Sequence, residues 1–270
     1  MFAALRRVFR PDPHANLREV LGHQPLPTFP ATVQAVLAAL RDPETSLGVI
    51  GDRLAEDPAL TVDVLKTVNS AAYGLRRPVS DAAHAARMLG RSELEALVLA
   101  RAVRAAMPTR RVPGYDPAAF WRTAAERAAL ARGLAEAVQP SVARMSYTAT
   151  LLQDVAVPLL AQADVPHYRD LLTTHRGERG RLQDLERSHL DFDHAMVSGW
   201  LCEAWAFPEP LQHAIAHHHD EGAPAPVRVA AELEHADQDT AIVIEAARAH
   251  LALSPEVTLE LMARAAADAR

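Results

Sequence analysis

Cysteine is almost absent from this sequence, in which Cys202 is the single cysteine among 270 residues. An intramolecular disulfide is therefore excluded, and the composition fits a reducing compartment. Because Cys202 lies among apolar residues, it is expected to fill the core rather than to act as a catalytic thiol. Long apolar runs are also lacking, since no stretch reaches the roughly 18 residues that a membrane-spanning helix needs. We therefore expect a cytoplasmic protein without a membrane span.

An excess of basic residues is lacking as well. The formal net charge is -6 and the isoelectric point is near 6.1, so the chain as a whole is not attracted to phosphate backbones. Helices in the first half carry acidic side chains such as Asp52, Glu56 and Asp63 rather than a basic stripe, which disfavours nucleic-acid binding. Glycine-rich phosphate loops and the G-x-S-x-G elbow of serine hydrolases are absent too.

What the sequence does contain is helical periodicity, with abundant alanine and leucine and little β-branched alternation. These features predict an all-α, multi-helix protein. Helical patterns recur throughout, and one of them predicts a continuous helix over 143–162. A segment rich in proline at 107–117 suggests the division between two halves. The predicted regions are an amphipathic N-terminal segment (1–22), a first helical subdomain (23–110), a second helical subdomain (111–245) and a C-terminal helix (246–270).

Several motifs in the first half resemble the HDOD family of bacterial regulatory domains. They are LPTFP at 26–30, LRDP at 40–43, DPALT at 57–61, VNSAAYG at 68–74, RPVS at 77–80 and MLG at 88–90. Their order and spacing are close to those of the family, and the resemblance extends more weakly to about residue 240. It implies an HDOD-like helical bundle with a role in bacterial signal transduction, in some cases connected with cyclic-dinucleotide pathways.

The segment from Asn69 to Ser80 allows two interpretations. Asparagine, glycine and proline punctuate it, so it reads as the end of a helix followed by a turn, and a structural role accounts for most of the motif. Alternatively, Asn69, Tyr73, Arg76 and Arg77 present a binding face for an acidic partner or a phosphate. Both interpretations remain open at the level of the sequence.

The second half resembles the HD phosphohydrolase superfamily, in which histidines and aspartates hold metal ions that activate water against a phosphoester. Two of the expected imidazoles are missing. Thr123 occupies the place of the first histidine, and Gln153 precedes Asp154 where the superfamily has a His-Asp pair. The lysine of that motif is missing too. The resemblance therefore implies a degenerate HD motif.

Other positions of the HD-like set survive. They form a candidate residual polar cluster of Asp154, His194, His218, His219 and Asp237. Three histidines and a carboxylate can hold a divalent metal ion if they converge. The alternative is structural: Asp193 caps the helix that starts at His194, and the histidine run lies at a helix C-terminus, where solvated imidazoles need no ligand.

The sequence thus predicts a protein with no catalytic residues and no metal site or cofactor, with a residual divalent ion kept as an open alternative. We expect it to bind a protein signalling partner or a small nucleotide-like ligand, to bind no nucleic acid and to have no membrane span. A homo-oligomer is also compatible with the sequence. The competing hypothesis is a metal-dependent phosphohydrolase or phosphodiesterase that acts on a nucleotide or cyclic dinucleotide.

Overall fold

A computed structural model describes residues 12–22, 24–69, 75, 77–163, 165, 167–177, 181–234 and 239–269. The described residues contain no strand, and one isolated antiparallel bridge joins Val112 and Tyr115. The all-α prediction is confirmed. The helices are α1 (Pro13–Leu21), α2 (Ala31–Arg41), α3 (Leu47–Ala55), α4 (Pro58–Val68), α5 (Ala82–Ala106), α6 (Pro117–Val138), α7 (Ala143–Leu152), α8 (Ala156–Gln162), α9 (Tyr168–Gly177), α10 (Leu182–His189), α11 (His194–Ala204), α12 (Glu209–Ala216), α13 (Ala225–Ala231), α14 (Thr240–Leu251) and α15 (Pro255–Asp268).

The chain divides into two compact units. The smaller unit is continuous and comprises Leu26–Met107, which includes α2 to α5. The larger unit combines the N-terminal part of the chain, up to Pro25, with everything from Pro108 onward. The larger unit therefore contains all the surviving HD-like residues that the structure describes.

Several helices in both units begin at a residue whose side chain caps the helix. Asp57 accepts hydrogen bonds from the amides of Ala59 and Leu60 at the start of α4, and a proline occupies the first helical position, as the sequence predicted. Asp81 and Asp116 cap α5 and α6 in the same way. Each cap satisfies backbone N–H groups that have no partner within the helix.

In the smaller unit, close packing of helices and hydrogen bonds from a side chain to backbone carbonyls hold α2, α3 and α5 together. Helices α3 and α5 cross closely at Gly51, where an added Cβ atom would lie 2.3 Å from the Cα of Ala83. Helix α5 is interrupted at Gly90, whose φ of 74° lies in the left-handed region that glycine adopts most readily. Arg91 then donates hydrogen bonds to the carbonyls of Ala39 and Leu40, which fixes the end of α2.

The larger unit packs α13, α14 and α15 around α6. Its core cluster is made of Leu130, Ala131, Leu134, Val229, Ala230, Leu233, Val243, Ala247 and Ala265. Helix α7 packs along α6, and α11 contacts both α1 and α12. This arrangement brings the end of α7, the start of α11 and the end of α12 into one neighbourhood.

The predicted continuous helix over 143–162 is wrong. The structure breaks it into α7 and α8, with a turn at residues 153–155. Pro158 lies in the first turn of α8, where its missing N–H would have no partner within the helix, so the chain begins a new helix there. Ser198 on α11 accepts a hydrogen bond from the amide of Ala156 at this new start. The break places Asp154 in a turn instead of inside a helix.

None of the helices that the structure describes combines the length and the apolar character that crossing a bilayer requires.

Candidate functional site: a buried histidine and carboxylate cluster

Three of the histidines expected from the sequence lie at the ends of helices. His194 is the first residue of α11, and Asp193 caps that helix by accepting a hydrogen bond from the amide of Met196, as the structural alternative predicted. His218 and His219 follow α12. The cap orients the first turn of α11, so both a structural role for Asp193 and a defined position for His194 follow from the same contact.

The described members of the predicted cluster converge on one point. The Nε2 atom of His194 lies 3.2 Å from Nε2 of His218 and 3.1 Å from Nε2 of His219. Oδ1 of Asp154 lies 3.4 Å from Nε2 of His194 and 3.3 Å from Nε2 of His218. The fifth predicted member, Asp237, lies outside the described residues. Four residues from three helix ends thus form one polar cluster.

The cluster is almost sealed from solvent. His218 is fully buried, His194 is 2% exposed and Asp154 is 9% exposed, while His219 is half-buried. The expectation of ordinary solvated histidines therefore fails for His218. Buried imidazoles require polar partners, because an unpaired polar group in the core carries a desolvation cost of roughly 1–3 kcal/mol.

Those partners include two residues that sequence reasoning missed. Glu186 on α10 is fully buried, and its Oε2 lies 2.7 Å from both the backbone N and the Nδ1 of His194. Tyr168 donates a hydrogen bond of 2.7 Å to Oε1 of the same carboxylate. The available signal was a glutamate on the buried face of α10, four residues after the buried Leu182. Glu186 therefore orients His194 within the cluster.

Arg127 is the third missed residue. Its guanidinium donates to Oδ2 of Asp154 in an ion pair in which both side chains are buried. The available signal was an arginine in the middle of the apolar face of α6, between Ala124 and Ala131. Long cationic side chains are seldom fully buried without a partner, so such an arginine predicts a buried carboxylate nearby.

The charges in the cluster shift the acid–base properties of its members. Burial alone would raise the pKa of Asp154, but Arg127 and the imidazoles of His194 and His218 hold it well below its usual range. Burial alone would lower the pKa of His194, but Glu186 and Asp154 hold it well above its usual range. Burial, together with the neighbouring His218 and His194, lowers the pKa of His219. The buried carboxylates thus favour a positive charge on His194, and burial disfavours one on His219.

Among the described residues, the donor set fits one metal ion and does not fit two. The ring nitrogens of His194, His218 and His219 all lie within 4.8 Å of one another, which suits a single tetrahedral ion when Asp154 Oδ1 is added as a fourth donor. That Oδ1 is buried without a well-directed hydrogen bond. A second ion would need donors at Thr123 and Gln153 and at the other oxygen of Asp154, which Arg127 already binds.

Gln153 occupies the position before Asp154 at which the HD superfamily has a histidine. Its side chain is fully buried, and neither its Nε2 nor its Oε1 has a hydrogen-bond partner among the described residues. Ser146 and Thr150, which lie on the same face of α7, are also buried with unpaired hydroxyl oxygens within the described part of the chain. This face of α7 is polar and buried, but a neutral amide and two hydroxyls are poor ligands for a transition-metal ion.

The predicted partner-binding residues lie elsewhere. In the smaller unit, the side chain of Asn69 donates to the carbonyl of Val79 and accepts from the amide of Val79, both at 2.7 Å. These two bonds link Asn69 to Val79 and agree with the structural interpretation of the motif. Arg77 is exposed. Tyr73 and Arg76 lie outside the described residues, so the alternative binding face stays a prediction.

An open groove of about 420 Å³ lies on the outer side of α11 and α12, next to the cluster. Met196 and Trp200 line it from α11, and the rings of His213 and His217 are 4.4 Å apart along its other wall. Its carboxylates include Glu203, Glu209 and Asp220, and its one arginine, Arg187, is paired with Asp193. The groove is therefore partly apolar with an acidic rim.

The thiol of Cys202 is fully buried, and burial raises its pKa. Reactive cysteines are partly exposed and have a lowered pKa, so Cys202 is a core residue, as expected.

Comparison with known proteins agrees with the fold. The sequence model of the HDOD domain family matches residues 26–221 of this chain. A curated relative, an uncharacterized protein of Treponema pallidum (strain Nichols), is 26% identical over 197 residues, which are 72% of this chain and 38% of the relative. The chain therefore corresponds to well under half of the length of that relative.

Solved structures extend the same result. An HDOD domain protein of unknown function from Geobacter sulfurreducens superposes with a TM-score of 0.71 at 22% identity, over 95% of each chain. A protein from Shewanella amazonensis SB2B, provisionally named a phosphohydrolase, gives a TM-score of 0.71 at 20% identity, over 94% of this chain and 97% of its own. At such identities the likeness concerns the fold alone.

Proposed function

Because the chain belongs to the HDOD family, we propose that it is a non-catalytic regulatory protein that binds a protein partner in bacterial signal transduction in the cytoplasm. The observation that carries the proposal is the state of Asp154. The hydrolytic two-metal sites of the HD superfamily need a carboxylate that is open to metal ions, and here one oxygen of Asp154 is bound by buried Arg127.

The burial of the cluster supports the same conclusion. A phosphoester must contact the activating ion directly, and the ring of His218 is fully buried while that of His194 is 2% exposed. Together with Thr123 and Gln153 in place of two imidazoles, this leaves a cluster that stabilises the helix ends around it. A metal ion bound there would supply Lewis acidity. The described residues around it offer neither ligands for a second ion nor an open site for a substrate.

The groove formed by α11 and α12 provides the surface for recognition. Its acidic rim repels phosphate, which disfavours a nucleotide-like ligand, and it attracts a basic segment of a protein. Exposed Met196 and the ring of Trp200 add the apolar contact area that protein interfaces use. We therefore assign the partner as a protein that presents a basic segment.

The recognition surface is tested by charge reversal. Glu203→Arg reverses an exposed charge in the groove, and Glu260→Arg is the matched control on the exposed face of α15. Cross-linking mass spectrometry in cells that express each variant at native level should recover a partner with the wild type and the control, with cross-links near the groove. The proposal expects loss of these cross-links with Glu203→Arg alone, and their equal retention in all three proteins contradicts it.

The second candidate function is a metal-dependent phosphohydrolase, which the convergence of His194, His218 and His219 favours. Cleavage of bis(4-nitrophenyl) phosphate and of a cyclic dinucleotide with added Mn²⁺ or Fe²⁺ discriminates the two functions. We expect no turnover above that of the free metal ion. Turnover that Asp154→Ala and His194→Ala both abolish would replace the regulatory proposal by the enzymatic one.

A further inference from the structure

The side chain of Arg127 reaches the cluster from the face of α6 that also carries Thr123. The two residues are four positions apart on α6 and therefore lie on the same side of the helix. Thr123 is the position where the resemblance to the HD superfamily implies a metal-binding histidine. One turn further along, the guanidinium of Arg127 reaches Oδ2 of Asp154 instead. A fixed positive charge thus lies against the carboxylate that an HD-type site uses for its ions.

The other side of Asp154 is arranged differently. Nδ1 of His194 lies 2.7 Å from a carboxylate oxygen of Glu186, and Nδ1 of His218 lies 2.7 Å from the carbonyl oxygen of Ile215. Because an oxygen at this distance accepts a hydrogen bond, each Nδ1 carries the hydrogen. In the neutral rings both Nε2 lone pairs then face each other at 3.2 Å, beside Oδ1 of Asp154. Such an arrangement needs one positive species between them, a proton or a metal ion.

We propose that Arg127 is a built-in cation that replaces one of the two metal ions of an HD-type site and leaves a single cation position, formed by Oδ1 of Asp154 and the Nε2 atoms of His194, His218 and His219. This inference goes beyond the proposed function, because it concerns the ion affinity of the cluster and holds whether or not a partner binds the groove.

The charge balance of the cluster explains what Arg127 does to metal binding. The guanidinium balances one of the two buried carboxylates, Asp154 and Glu186. The other carboxylate alone cannot neutralise a divalent ion, so an excess positive charge remains in a medium of low dielectric constant. Arg127 therefore weakens the binding of a divalent ion at the histidines.

The test is a Zn²⁺ titration of metal-free protein in competition with a chromophoric chelator. Arg127→Met removes the charge, and Arg122→Met, on the exposed face of the same helix, is the matched control. We expect the wild type and the control to bind at most one ion at the cluster, and Arg127→Met to bind one ion at least about tenfold more tightly. Equal or weaker affinity in Arg127→Met, or two cluster ions in the wild type, overturns the proposal.

The substitution His219→Ala distinguishes Zn²⁺ bound at exposed histidines from Zn²⁺ bound at the cluster. This change removes one cluster donor and leaves His213 and His217 of the groove in place. In the Arg127→Met background, His219→Ala should abolish the gain in affinity. A gain that persists without His219 places the ion elsewhere and contradicts the assigned ligand set.

Folding provides a second readout, because Arg127→Met leaves Asp154 buried without its counter-charge. The double variant Arg127→Met/Asp154→Asn removes both charges and serves as the comparison. Zn²⁺ should raise the Tm of the single variant more than that of the wild type or the double variant. Equal shifts in all three proteins, or a single variant that Zn²⁺ does not stabilise, would show that Arg127 does not stand in for an ion.

Discussion

Asn69 in the smaller unit and Asp154 in the larger unit are both polar residues of family-like motifs, yet their environments differ. The side-chain amide of Asn69 bonds to backbone groups: it donates a hydrogen bond to the carbonyl of Val79 and accepts one from the N–H of Val79. Asp154 instead contacts other side chains: Arg127 forms an ion pair with one carboxylate oxygen, and the imidazoles of His194 and His218 lie near the other. A motif that closes on backbone fixes a turn, whereas one that gathers titratable side chains from several helices forms a site.

The comparison also separates two kinds of buried polar group. In the smaller unit, Arg91 and Asn69 satisfy backbone groups and complete the local fold. In the larger unit, Gln153 keeps both side-chain polar atoms unpaired in the described structure. Buried polar groups without partners are rare in stable cores. Next to Asp154 they leave a polar, buried surface that an optimised apolar core would lack.

The largest expected effect is the loss of the ion pair in the cluster. Arg127→Met should lower the free energy of unfolding by about 3–5 kcal/mol, because it leaves a buried carboxylate uncompensated. Urea denaturation measures the change, and Arg122→Met on the exposed face of α6 is the control. A loss below about 1 kcal/mol would mean that Asp154 finds another counter-charge or becomes protonated without cost.

A smaller effect is expected from the carboxylate that orients His194. Glu186→Gln should lower the free energy of unfolding by about 2 kcal/mol, since the amide cannot accept hydrogen bonds from both Tyr168 and His194. The exposed Glu203→Gln on α11 is the control, and chemical denaturation again gives the value. If both variants are equally stable, Glu186 does not hold His194 as described.

The smaller unit should respond less. Asn69→Ala removes both bonds to Val79 and should lower the free energy of unfolding by about 1 kcal/mol. Ser80→Ala, an exposed neighbour in the same turn, is the matched control. A loss as large as that of Arg127→Met would remove the contrast between the two regions.

The smallest effect is expected at Arg77. Because its side chain is exposed, Arg77→Ala should change the free energy of unfolding by less than about 0.5 kcal/mol. Measured alongside Asn69→Ala, it separates the two interpretations of the motif. Loss of partner cross-links with a stable Arg77→Ala variant would move the recognition surface from the groove to this turn.

The sequence predicted the fold class and the family well, because helical periodicity and capping residues such as Asp57 are local signals. It also predicted that Asp154, His194, His218 and His219 belong together, through a resemblance rather than through spacing. The break between α7 and α8 was missed although Pro158 marks it, because the apolar residues on both sides of Gln153 and Asp154 follow one helical pattern.

Arg127, Glu186 and Tyr168 were missed for a different reason. Each is distant in sequence from its partner: Arg127 and Asp154 are 27 positions apart, and Tyr168 and Glu186 are 18 positions apart. Hydrophobic periodicity marks which face of a helix is buried, but it does not say which polar residue on that face meets which partner. Only the packing of α6, α9 and α10 in the larger unit reveals these pairs.

We propose that the cluster holds one ion at most, so that the protein recognises a partner at its groove rather than hydrolyses a phosphoester. Native mass spectrometry of protein exchanged into Mn²⁺ or Fe²⁺ counts the bound ions directly, and Asp154→Ala identifies those that the cluster holds. We expect no more than one ion per chain to be lost on this substitution. Two ions that disappear together with Asp154 would contradict it.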